Sequence, residues 1–131
     1  MSLSLILKYM AKKLTMILGI ILIIAGLLGF ISNPLIGENG LFQTDLTHNL
    51  VHLVLGLIAV WVATKSLTGT VTYLKVVGII LVILAILGFV ASGPLLGFIL
   101  NNMADCWLHL VIGLIMIWAG FFGSKGESVA M

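Results

Sequence analysis

Charge is what this chain has least of. Only 8% of its 131 residues are charged, against roughly a quarter in soluble domains, while 62% are hydrophobic. An ordinary soluble surface cannot be built from that composition. Cysteine is nearly absent: Cys106 stands alone, which excludes an intramolecular disulfide but does not by itself fix the redox compartment. Its simplest role is a small residue at a helix start. Enzyme signatures are missing too, with no Gly-rich phosphate loop, no Cys/His finger spacing and no nucleophile elbow. A non-enzymatic protein is the expectation. The formal charge of +2 gives no reason to expect a nucleic-acid partner.

What is present is four long apolar blocks. Leu14–Ser32 is almost uninterrupted, Leu46–Ala63 carries only histidines and Asn49 as strongly polar side chains, Val76–Ala91 has no charge, and Trp107–Phe122 has one histidine. A helix needs roughly 17–25 apolar residues to cross a bilayer. The first block meets this directly and the others reach it by borrowing polar residues at their ends. An all-α, four-helix integral membrane bundle is therefore predicted, with the lipid bilayer as its first partner. Lys8, Lys12 and Lys13 give the first block the look of a signal peptide. Its apolar run is too long for one, and Ile31-Ser32-Asn33-Pro34 lacks a small-x-small cleavage site, so an uncleaved span is expected. Residues 3–13 either extend that span or lie along the membrane surface.

All six basic residues are lysines, at 8, 12, 13, 65, 75 and 125. With four spans they fall on one side, which the positive-inside rule makes cytoplasmic, so both termini and the 66–75 connection are expected inside a multi-pass cell-membrane protein. The opposite loops, around 33–45 and 92–105, hold Glu38, Asp45 and Asp105 and no lysine. Trp61, Trp118 and Tyr73 fit the cytoplasmic boundary and Trp107 the outer one, as interfacial aromatics.

The chain also repeats itself. His52, Gly56 and Trp61 recur as His109, Gly113 and Trp118, each 57 positions later, and the same shift sets Asp105 on His48. Gly19, Gly29 and Phe30 match Gly78, Gly88 and Phe89 at a shift of 59, and Pro34 and Gly37 match Pro94 and Gly97 at 60. The organisation read from this is a basic, amphipathic segment 1–13, a helical hairpin 14–65, a connection 66–75, a second hairpin 76–123 and a tail 124–131. Two spans per repeat give both hairpins the same orientation, related by a pseudo-twofold axis along the membrane normal. Small residues at Ala25 and Gly29, Ala59 and Ala63, and Ala85 and Gly88 allow close helix approach. Ser92-Gly93-Pro94 and Asn33-Pro34 mark turns.

His48, His52 and Gly56 are spaced four apart and form one stripe on the second span; Asp105, His109 and Gly113 form the matching stripe on the fourth. Polar groups at that depth belong in a bundle interior or wet cavity, and pseudo-symmetry brings His52 and His109 toward each other. Several readings stand. In one, the imidazoles, Asp105 and Asn49 hydrogen-bond to one another and tie the second and fourth spans. In another, His48, His52, Asp105 and His109 ligate a divalent metal, a three-nitrogen, one-oxygen set suited to zinc. A haem variant uses His52 and His109 axially, with Gly56 and Gly113 making room for the macrocycle. A small transporter with a proton or ion route is the last, but no charged residue falls in the cytoplasmic halves of the four blocks, so a relay would stop partway.

At these residues the chain resembles a known family. Leu41-Phe42, His48-Asn49-Leu50-Val51-His52-Leu53 with Gly56, and Asn102-Met103-Ala104-Asp105-Cys106-Trp107-Leu108-His109-Leu110 with Gly113 are similar to a family of small bacterial four-span membrane proteins, the domain of unknown function 4383. In that family the residue after the aspartate is commonly Asn, where this chain has Cys106. The resemblance implies the fold and supplies no activity. The leading expectation is an accessory or assembly subunit, in company with other membrane proteins or further copies of itself.

Overall fold

The computed structural model describes residues 2–91 and 93–129, with backbone alone for 126–129. Ser92 of the expected Ser92-Gly93-Pro94 turn, and residues 130 and 131 of the tail, lie outside the described residues. The chain runs α1 (Leu3–Leu28), β1 (Ile36–Gly37), β2 (Phe42–Gln43), α2 (Leu46–Lys65), α3 (Leu67–Val90) and α4 (Met103–Val129). Both prolines fall in the loops, so the long apolar runs propagate unbroken. Each helix start is capped. Ser2, Asp45 and Ser66 accept from the backbone N–H three residues on. Asn102 and Asp105 form a reciprocal pair, each side chain accepting the other's backbone N–H, as in a capping box. All four helices are long and apolar enough to cross a membrane; at about 1.5 Å per residue even the shortest spans the hydrocarbon.

The residue distribution is that of a protein dissolved in lipid. Large side chains point outward, among them Ile20, Ile24, Leu57, Trp61, Ile83, Leu114 and Trp118. Many buried positions are small or polar, among them Ala59, Ala63, Ala85, Thr15, Thr70, His48, Asn49 and Asp105, beside a few larger apolar ones such as Leu74, Val77 and Met116. Lipid tails are as apolar as leucine, so helices associate through close backbone approach and hydrogen bonds instead. Apolar outer faces of this kind suit contact with a bilayer.

Two closely packed, antiparallel helix pairs make up the bundle. In α1–α2 the carbonyl of Gly19 lies 2.8 Å from where a Cβ on Gly56 would sit, and the Gly56 carbonyl lies 2.9 Å from the corresponding point on Gly19. In α3–α4, Gly78 and Gly113 stand in the same relation, 2.9 Å in both directions. Only glycine permits either crossing. Further along, Gly29 accommodates the Asn49 side chain and Gly88 the Cys106 side chain. Asn49 and Cys106 are 57 apart, so the cysteine occupies in one pair the place that the amide occupies in the other.

Residues 3–13 are the opening turns of α1, the first of the two alternatives for that segment. Three other expectations change. The 66–75 connection shrinks to Ser66, which caps α2 through its N–H on the Val62 carbonyl and α3 through its Oγ. Thr70 Oγ1 lies within hydrogen-bond distance of the Val62 and Ser66 carbonyls, and Tyr73 Oη donates to Leu55 O at 2.9 Å. Those bonds allow the polar Ser/Thr stretch to be helical where composition reads as a link. Tyr73 is therefore a buried tie, not an interfacial aromatic, whereas Trp61, Trp107 and Trp118 are exposed. Lys75, expected outside the third span, stands in the third turn of α3 with its ammonium 4.6 Å from the Phe121 ring centroid.

Candidate functional site

The site is built where the two loops meet the starts of α2 and α4. In the first loop Asn33 folds the chain upon itself, its amide donating to the Leu28, Ile31 and Ile36 carbonyls and its Oδ1 accepting from Leu35 and Ile36. This seats β1 beside β2 in a short parallel pair, Ile36 opposite Phe42. The second loop closes with a bridge between Leu95 and Ile99, turning through Leu96 at a φ of 54°.

Each loop is then fastened to the other helix pair. Gln43 N donates to Asp105 Oδ2 at 2.9 Å, and Asn102 Nδ2 donates to Leu41 O at 2.8 Å. In the other direction Leu100 N donates to Asp45 Oδ2 at 3.0 Å, and His48 Nδ1 donates to Leu100 O at 2.8 Å. Gln43 and Leu100 stand 57 apart, as do His48 and Asp105. Two helix residues 57 apart thus grip two loop residues that are also 57 apart. His48 does so as a donor to a carbonyl and Asp105 as an acceptor from an N–H. The chemical difference between His48 and Asp105 is thus a swap of hydrogen-bond roles.

Beneath this laced layer lie the histidines. One ring nitrogen from each of His48, His52 and His109 falls within 4.8 Å of the others. The His48 and His52 ring centroids are 4.5 Å apart, and those of His48 and His109 5.8 Å. A carbonyl can only accept, so the bond to Leu100 O puts a proton on His48 Nδ1, and in the neutral ring Nε2 is then the nitrogen able to act as a ligand. His52 Nδ1 is buried without a hydrogen-bond partner among the described residues, as are Thr44 Oγ1 and Asn49 Oδ1; each such group costs about 1–3 kcal/mol. The cluster heads a cavity of about 530 Å³ walled by all four helices, with Leu18, Leu22, Leu55, Val77, Leu81, Ile112 and Met116 below it.

The stripe predicted from sequence divides. His48, His52 and His109 converge. Asp105 lines the same cavity, but its Oδ2 is engaged by two backbone N–H groups, and the close group consists of the three imidazoles. Asn49 turns away toward α1 at Gly29. Gly56 and Gly113 face Gly19 and Gly78, so their clearance is filled by helix backbone and opens no space for a macrocycle. Nor do the second and fourth spans pack: among the described residues no Cα of α2 comes within 8 Å of one in α4, and their histidines reach across the gap. Sequence reasoning missed Gln43, Leu100 and Leu41, which act through backbone groups and leave no side-chain signal. Asn102 was findable from its three-residue spacing to Asp105.

With that geometry in view, comparison with known proteins adds one result. No curated protein and no solved structure matches the chain. The family model described as Domain of unknown function (DUF4383) matches residues 12–122, a stretch that takes in both helix pairs, both loops and all three histidines, and the chain belongs to that family.

Proposed function

We propose that this chain is a non-enzymatic, multi-pass protein of the cell membrane that holds one divalent transition-metal ion on His48, His52 and His109, with zinc the first choice. One observation carries the reading: three imidazoles from two helices that do not pack on each other present ligand atoms within 4.8 Å. The His48 Nδ1–H bond to Leu100 O supports it, since metal-binding histidines almost always donate their second nitrogen to a carbonyl or carboxylate. Imidazole suits zinc, copper, iron and nickel. Asp105 and Asp45 serve as ties that set the loops and, through Leu100, the His48 ring.

The same reading takes the bundle as two hairpins of like orientation. The matched glycine crossings, the Gly29–Asn49 and Gly88–Cys106 contacts and the reciprocal loop ties all support a duplicated unit. The lysines at 8, 12, 13, 65 and 125 belong to the ends that meet at Ser66, which favours a cytoplasmic location for that end. Broad apolar flanks on a chain this small fit an accessory or assembly subunit that works beside other membrane proteins.

Elemental analysis of protein purified in mild detergent tests the metal. Wild type is expected to carry one ion per chain, and a His52→Ala/His109→Ala double variant to carry none while remaining helical by circular dichroism. A helical wild type that stays metal-free after incubation with zinc contradicts the proposal.

A further inference from the structure

Three imidazoles are neutral ligands and leave a divalent ion with its full charge and a coordination position to fill, because zinc is almost always four-coordinate. In a low-dielectric interior an uncompensated charge is costly. Among the described residues the carboxylate on the cavity wall is Asp105, already accepting from Gln43 and Asn102. A fourth ligand that is itself anionic fills the position and offsets part of the charge, with Asp105 beside it, and the cavity that His52 and His109 line is where it can stand.

The shape of that cavity says more about the ligand. Its polar groups gather at the loop end, at the histidines, Asp105, Thr44 and Asn101, and the wall toward the far end is aliphatic. Its volume, about 530 Å³, falls within the roughly 300–1,000 Å³ of small-molecule sites. A metal site serving structure alone is closed by four protein ligands and needs no such space beside it. Resting on the metal reading above, the geometry points to a binding site for a linear-chain carboxylate of the fatty-acid class, its carboxylate on the metal held by His48, His52 and His109 and its chain in the aliphatic cavity between the helices.

Cobalt(II) in place of zinc gives a visible spectrum that reports a change of ligand. Detergent-solubilised protein loaded with cobalt(II) is titrated with decanoate, acetate and methyl decanoate, alongside an Ala25→Phe variant. Ala25 lines the cavity without being one of the histidines, so the added ring occupies chain space. The expected result is a decanoate-induced spectral shift in wild type, none with methyl decanoate, and loss of the decanoate shift in Ala25→Phe with the cobalt band and the acetate response retained. A smaller filling variant, Ala25→Leu, is expected to show a reduced decanoate shift, and it serves as the measured protein if Ala25→Phe does not fold. A cobalt band that decanoate leaves unmoved overturns the ligand and leaves the metal reading standing. Equal decanoate shifts in wild type and a folded filling variant overturn the placement of the chain. Absence of any cobalt band in wild type overturns both.

Discussion

At the scale of single residues, His48 and Asp105 each tie a loop to a helix start, yet only the histidine also turns a nitrogen toward His52 and His109. His48 belongs to two layers at once, lacing above and ligand cluster below, while Asp105 belongs to the lacing. Their substitutions should separate accordingly. Asp105→Ala strands the N–H groups of Gln43 and Asn102 and is expected to cost about 1–3 kcal/mol, read as a lower unfolding midpoint in detergent, with one metal ion per chain retained. Asp45→Ala removes a cap worth about 1 kcal/mol and also loosens Leu100, the carbonyl that orients His48. It is expected to weaken metal affinity by about 10–100-fold, as loss of outer-shell partners does, in a competitive chelator titration. Equal metal affinity in the Asp45 variant and wild type contradicts the orienting role. The convergence of the histidines was legible in sequence, because four-residue spacing and a 57-residue repeat are properties of side chains. The role of Asp105 was not, because its partners are backbone N–H groups whose position depends on how two loops fold.

At the scale of elements, the helices were legible in their apolar centres and less so at their ends. The lysine-bearing opening of α1 and the Ser/Thr-rich opening of α3 are polar enough to read as segments between spans, yet capping by Ser2 and Ser66 carries the helices through them. The stripe glycines show the opposite limit. Spacing places Gly56 on one stripe with His48 and His52, but a four-residue step rotates about 40° around the helix, and two such steps carry Gly56 from the cavity to the α1 contact. Backbone approach at that contact makes a sharp prediction. Gly56→Ala and Gly113→Ala each drive a methyl into a carbonyl under 3 Å away and should destabilise by about 1–3 kcal/mol. Gly69→Ala, whose nearest neighbours stand at 3.3 Å, should cost little, since alanine is the better helix former by about 0.5–1 kcal/mol. Thermal unfolding of the three variants by circular dichroism orders them, and indifference at Gly56 and Gly113 contradicts the close crossing.

At the scale of the whole molecule, outward isoleucines, leucines and tryptophans suit contact with lipid, helix pairs close on glycine, and the two pairs meet where α1 packs on α4, with loop ties at one end and Ser66 with Tyr73 between α2 and α3. The space left between α2 and α4 is where the histidines and the cavity lie. The orientation proposed from the lysines can be read by labelling. In a Cys106→Ala background, Glu38→Cys should react with a membrane-impermeant maleimide on intact cells and Lys65→Cys only after lysis; the reverse pattern contradicts the assignment.

The claim on which the rest depends is that three imidazoles hold a metal inside the bundle. X-ray absorption at the zinc edge of the zinc-loaded protein tests it most directly. The expected first shell has three imidazole nitrogens at about 2.0–2.1 Å and one oxygen, and it is lost in the His52→Ala/His109→Ala variant. A sulfur contribution at about 2.3 Å, which would bring in Cys106, or a shell of oxygen alone, contradicts it.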